Sequence, residues 1–267
     1  MIRLVLAALL ALSATPMIAQ TTELRTLDTE NSASVWKAVG RLNFGRGAFC
    51  SGTLIAPDMV LTAAHCLYKS NSDERWHPSE ITFLAGFRGG KAVTKRAAIA
   101  AEAHAGFQPL ASLTDENVSN DVALIRLAQP ISSFEIAPFN LHRDVVRPGP
   151  VSVVSYGRDR ATTQSRQNEC QMFRQFGDLL LFDCDVTFGS SGAPVFSHLN
   201  GRGRIMSVIS GMTMYQNKRI ALGMHLPDRV DEVMRQMRSR PTAPTATIRR
   251  IGVGDKRSAG GAKFVKP

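Results

Sequence analysis

Three short stretches of the chain hold groups from which a hydrolytic site can be assembled: LTAAHC at 61–66, SNDVALIRL at 119–127 and DVTFGSSGAPVF at 185–196. Each sets one reactive group among apolar or small neighbours: an imidazole, a carboxylate, and a hydroxyl next to glycine. A serine hydroxyl is too weakly acidic to attack an amide unaided. It needs an imidazole to take its proton and later return it to the leaving amine, and a carboxylate to fix the imidazole tautomer and stabilise its cation. Taken singly, each stretch has a plainer reading as a buried histidine, a turn aspartate or a glycine-rich loop. The ordered triple is much harder to obtain by accident.

Together the three stretches resemble the chymotrypsin and trypsin family of serine peptidases. In that family TAAHC carries the general base, D-[IV]-A-L the buried aspartate and G-x-S-G-x-P the nucleophile. The resemblance implies His65 as base, Asp121 as its partner, Ser191 as nucleophile, peptide or protein as substrate, and no cofactor. Gly192 and Ala193 allow a tight turn after Ser191, and the N–H groups of Gly189 and Ser191 are the expected oxyanion hole. Secondary matches at CSGTLIAP, AHAGF and VVSYGRDR extend the likeness over about residues 35 to 237, toward a secreted bacterial trypsin-like branch. The remaining histidines at 77, 104, 142, 198 and 225 have no such setting and read as surface or structural residues.

Three features bear on specificity and activation. Ser190 stands where animal digestive members carry the aspartate that receives the new amino terminus, and no Ile-Val-Gly-Gly type start precedes Val35. The expectation is a site ordered by direct hydrogen bonds, as in relatives resembling glutamyl endopeptidases. Asp185, six residues before Ser191, matches the trypsin pocket aspartate and implies selection of Arg or Lys by charge. SVISGM at 207–212 matches the substrate-binding strand, implying contacts through Ser210 and Gly211, and Gly223 matches a pocket-wall glycine. Ile209, Ser210 and Gly211 offer no histidine for a glutamate-selective pocket.

The elements that must position these groups read as all-β. From Val35 to about Ile209, short runs such as MVLTAA, ITFLAG, DVALIRL and VSVVSYG alternate with Gly, Pro, Asn and Asp. Charges with Pro148, Gly149 and Pro150 interrupt the pattern at 142–150. This predicts two antiparallel barrels, six-stranded by the resemblance, at 35–141 with His65 and Asp121 and at 142–240 with Ser191. The active site is expected between them. Val230, Val233, Met234 and Met237 form a helical stripe after Pro227 and Asp228, predicting one closing helix.

Residues 1–19 place Arg3 before an apolar run from Leu4 to Leu12 and a small-residue exit at residues 13–19, the pattern of a cleaved export signal. The run is about half the ~20 residues needed to span a bilayer, so no transmembrane anchor is expected. Residues 20–34 then form a removable propeptide or an extension. Export to the periplasm or medium permits disulfides. Of three possible pairings, the hairpin around Pro57 and Asp58 favours Cys50 with Cys66, and the turn at Gly177 and Asp178 favours Cys170 with Cys184. Without C-x-x-C spacing, no metal is assigned.

The chain of 267 residues carries a net charge of +10, half of it in residues 241–267, where six basic residues face one acidic. That Pro-, Thr- and Gly-rich tail reads as a solvated segment, with contact to anionic surfaces as its functional alternative. No nucleic-acid motif accompanies the charge, so no specific nucleic-acid partner is expected, and the chain is read as a monomer. The competing function is a catalytically weak binding protein on a peptidase scaffold, which would be expected to show a broken triad. An esterase using the same three residues is the other alternative.

Overall fold

The computed structural model describes residues 21–45, 47–198 and 203–239. The expected export signal and basic tail therefore lie outside the described residues. From Thr21 the chain lies along the second barrel: strand β1 (Leu24–Thr26) pairs with residues 165–167, the Thr22 N–H donates to the Glu169 carbonyl, and Leu27 is buried. A single turn of helix, α1 (Glu30–Ala33), is capped by the Thr29 hydroxyl and leads into the first barrel.

Six antiparallel strands close that first barrel: β2 (Val39–Phe44), β3 (Ala48–Ala56), β4 (Met59–Thr62), β5 (Ile81–Ala85), β6 (Thr94–Ala103) and β7 (Ala123–Leu127). Their spatial order is β2-β3-β4-β7-β6-β5, with β5 pairing back to β2. Closure removes the free edges that an open sheet would expose. The interior is aliphatic and aromatic, with Leu42, Leu54, Leu61, Phe83, Leu124 and Ile125 excluded from solvent. A short helix, α2 (Asp115–Ser119), capped by the Thr114 hydroxyl, delivers the chain to β7.

A second barrel repeats the design with β8 (Gly149–Ser155), β9 (Ser165–Phe176), β10 (Leu179–Phe182), β11 (Pro194–Ser197), β12 (Arg204–Tyr215) and β13 (Lys218–Met224). The ring runs β8-β9-β10-β13-β12-β11 and closes through β11 and β8, with β1 added outside on β9. The expected pair of six-stranded antiparallel barrels is thus the observed architecture. The expected helix is α3 (Pro227–Ser239). Its apolar stripe does not stay with the second barrel. Val230, Val233 and Met237 pack against β6 and β7 of the first barrel, in a core that also takes in Val208, Met224 and Leu226 of the second half, and the Glu232 carboxylate bonds His104 at the end of β6. The helix therefore straps the two halves together, and an aromatic cluster, with Trp36 stacked on Phe139 and Phe196 tilted against both, reinforces the seam. No described helix is long and apolar enough to cross a membrane.

Candidate active site

His65 sits in a 3-10 turn (Ala64–Leu67) directly after β4. The Cys50–Cys66 disulfide ties that turn to β3, and Cys170–Cys184 bridges β9 to the chain leaving β10, the two pairings expected from the hairpins. His65, Cys50 and Cys66 approach one another closely, as do Asp183, Cys170 and Cys184. In both groups the sulfurs are bonded to each other, so neither offers a thiolate to an ion.

Asp121 follows α2, its N–H held by the Val118 carbonyl, and its side chain is buried. Three donors converge on the carboxylate. The His65 backbone N–H reaches Oδ1 at 2.8 Å, His65 Nδ1 reaches Oδ2 at 2.7 Å, and the Ser210 hydroxyl reaches Oδ2 at 2.6 Å. An ionised carboxylate only accepts, so Nδ1 carries its proton and Nε2 is left as the acceptor. Burial pushes the His65 pKa down, but the charge and hydrogen bond of Asp121 outweigh it and the net shift is upward. The arrangement favours an imidazolium whenever Nε2 gains a proton.

Ser191 occupies the turn before β11 and lines a cleft of about 700 Å³ together with His65, Gly189, Ser210 and Gly211. Among the described residues its hydroxyl has no hydrogen-bond partner and stands open to the cleft; nucleophile–base bonds often tighten only when substrate arrives. Neither the Gly189 nor the Ser191 N–H has an acceptor among the described residues. Gly189 has φ +92°, and a Cβ there would lie 2.4 Å from Phe49 Cε2, so the position requires glycine. Gly192, at φ +74°, passes so close to the first barrel that a Cβ would meet Thr62 Oγ1 at 2.1 Å.

The residues singled out for substrate binding divide. Gly211 lines the cleft. Ser210 lines it too, but its hydroxyl is spent on Asp121. The register of β12 against β13 shifts between Ile209 and Gly211, and this bulge sets Ser210 apart from its neighbours in the ladder. Asp185 does not line the cleft. It is exposed, its N–H donates to Gln167 Oε1 at 2.7 Å, and its charge acts on the half-buried Arg160. Gly223 does not line it either. It lies in the β12–β13 ladder, where a Cβ would meet Ser207 Oγ at 2.4 Å and the Val208 carbonyl at 2.5 Å. Close strand packing explains this glycine.

Sequence reasoning passed over Ser51 and Tyr156. Ser51, buried in β3, donates through Oγ to the Gly189 carbonyl at 3.0 Å and accepts from the Tyr156 N–H at 2.9 Å. Ser190 is also fully buried. Its hydroxyl lies 3.3 Å from the Thr187 N–H and 3.3 Å from the Tyr156 carbonyl. The only available signal was position: Ser51 follows Cys50, and Tyr156 directly follows the strand that opens the second half.

Two closed antiparallel barrels with histidine, aspartate and serine arranged at a cleft define the architecture of a two-barrel serine peptidase. The family model of the trypsin-like peptidase domain matches residues 50–203, more than half of the chain, and the chain belongs to that family. A CLIP domain-containing serine protease, HP8, of Bombyx mori is 31% identical over 121 residues, covering 39% of this chain and 30% of that protein. A trypsin of Sarcophaga bullata is 34% identical over 87 residues, covering 31% and 28% respectively. The chain thus spans under a third of the length of these curated relatives. Among solved structures, a Glu endopeptidase in complex with MPD superposes with a TM-score of 0.67 at 17% identity, over 84% of this chain and all of that one. The thermostable serine protease AL20 from an extremophilic microorganism gives 0.62 at 16% identity, over 78% of this chain and all of that one. At these identities the likeness is one of fold.

Proposed function

We propose that the chain is an exported serine endopeptidase of the secreted bacterial trypsin-like branch that cleaves peptide bonds through an acyl-enzyme. The observation that carries the reading is the Asp121 carboxylate, which holds His65 by both backbone and Nδ1 beside a cleft that Ser191 also lines. In the first step Ser191 Oγ attacks the scissile carbonyl carbon while its proton passes to His65 Nε2. The oxygen's charge is taken by the N–H groups of Gly189 and Ser191, and the imidazolium is stabilised by Asp121. Collapse expels the amine, which takes the proton from Nε2. A water then gives a proton to Nε2 and attacks the ester carbonyl, and as that tetrahedral intermediate collapses Ser191 Oγ departs with the proton from Nε2, freeing the carboxylic product.

The cleft lining supports substrates with an apolar side chain before the scissile bond. Val186, Phe188, Ile209 and Met212 contribute to it, Arg158 adds a cation, and no carboxylate among the described residues lines it. Preference for Arg or Lys would rest on Asp185, whose exposed position outside the cleft speaks against it. Ser190, surrounded by hydrogen-bonding partners rather than a cation, supports a site that needs no ion pair from a freed amino terminus. Adding residues to the mature amino terminus tests that point, and complete loss of activity in the extended protein would reject it. Monomeric action outside the cytoplasm, with residues 241–267 available to anionic surfaces, completes the reading.

Fluorophosphonate labelling of the oxidised protein tests the enzyme reading against a binding protein on the same scaffold. Labelling of wild type that is lost in Ser191→Ala is the expected result. A folded wild type that does not label would favour the binding protein.

A further inference from the structure

The carbonyls around the proposed oxyanion hole are each held by a donor. The Phe188 oxygen accepts from the Arg158 N–H at 2.7 Å and the Ser190 oxygen from the Ala193 N–H at 2.9 Å. The Gly189 oxygen accepts from the Ser51 hydroxyl at 3.0 Å, and the Ser191 oxygen from the Ser51 backbone N–H at 2.9 Å. Two of these four donors thus come from one residue of the first barrel, and the Gly189 carbonyl is the one held by a side chain.

Fixing these carbonyls fixes the hole. The hole's N–H groups belong to the peptide planes 188–189 and 190–191, so the carbonyls of Phe188 and Ser190 orient them directly. The planes between and after them are pinned by Ser51. Gly189 is the weak point of this frame, because a residue without Cβ at φ +92° can rotate toward other regions at little steric cost. The Ser51 hydroxyl restrains it and is itself oriented by accepting from the Tyr156 N–H, leaving its proton for Gly189. Among the described residues no charged group touches Ser190 in this frame, and its hydroxyl bonds Tyr156 as well.

We infer that Ser51 is a positioning residue for catalysis: its hydroxyl, presented by the first barrel, holds the oxyanion loop of the second in the form that stabilises the transition state. The inference rests on the peptidase reading above. It makes competence of the hole depend on docking of the two barrels and not on a charge at position 190.

Ser51→Ala and Ser51→Thr, read by steady-state kinetics on an apolar chromogenic peptide, test it. A peptidyl boronic acid, whose tetrahedral adduct fills the hole, is titrated alongside a product peptide that does not. Losing a whole hole donor costs about 100- to 1,000-fold in kcat, so losing its restraint is expected to cost roughly 10- to 100-fold. KM and product affinity stay within about threefold, boronate affinity falls in parallel with kcat, and Ser51→Thr, which keeps the hydroxyl, recovers much of the rate. A purely structural role would lower the unfolding midpoint while leaving kcat and boronate affinity of the folded variant intact, and that result overturns the inference. Wild type that neither labels nor hydrolyses overturns the peptidase reading instead.

Discussion

Replacing Asp121 by asparagine exchanges one oxygen of the proposed triad for an NH2 group, and the hydrogen bonds around it dictate the consequence. Oδ1 accepts from the His65 backbone N–H, which can only donate, so the amide oxygen of the variant must take that side. The amide NH2 then occupies the place of Oδ2, facing His65 Nδ1 and the Ser210 hydroxyl. It donates to Nδ1, which drives the imidazole proton to Nε2, the atom that must accept the proton of Ser191. The wrong tautomer costs about 10^4-fold in kcat, or roughly 5 kcal/mol of barrier. The pH dependence shifts as well. In wild type the neutral base forms only above a pKa that Asp121 raises against the opposing effect of burial, so the acid limb of kcat/KM lies above the ordinary histidine value. Without the carboxylate only burial remains, and the limb of the residual activity moves below it. Initial rates over a wide pH range, with circular dichroism to confirm the fold, measure both effects. A folded Asp121→Asn enzyme within tenfold of wild type, or one with an unmoved acid limb, would refute the proposed role of the carboxylate.

Three further outcomes are expected. Gly189→Ala forces a Cβ to 2.4 Å from Phe49 at φ +92°, so the unfolding free energy drops by about 1–3 kcal/mol and fluorophosphonate labelling slows about 100-fold, read by denaturant titration and by label incorporation over time. Chromogenic peptides with Phe, Leu or Met before the scissile bond are hydrolysed faster than those with Arg or Lys, and Asp185→Asn changes kcat/KM for an Arg peptide by less than about threefold. A strong Arg preference abolished by that substitution would show that Asp185 reaches the pocket. Removing either disulfide by paired alanine substitution lowers stability by about 2–4 kcal/mol, since the bridged residues are 16 and 14 apart. Only loss of Cys50–Cys66, which holds the His65 turn, is expected to slow turnover as well.

Much of this was legible in the sequence because it is local. Short apolar runs punctuated by Gly, Pro and Asp state their strands directly, a 3.6-residue stripe after Pro227 states α3, and cysteines at the two ends of a hairpin state their own partners. The three residues of the proposed triad stand out in the sequence because each sits in a compact stretch whose neighbours shape its turn. What only the tertiary structure decided are relations between segments distant in the chain. Counting back from Ser191 reached Asp185, but spacing cannot say on which side of the loop a carboxylate emerges, and it emerges into solvent beside Arg160. The sequence marks Ser210 as a substrate contact, and it does line the cleft, but only the fold shows that a bulge in β12 puts its hydroxyl on Asp121, 89 residues earlier. The stripe of α3 names a helix without naming its partner, and the fold lays it across β6 and β7 of the first barrel, in a core shared with the second. Ser51 and Gly189 are 138 residues apart, and no local pattern marks a serine whose importance arises only where two barrels close on one peptide plane.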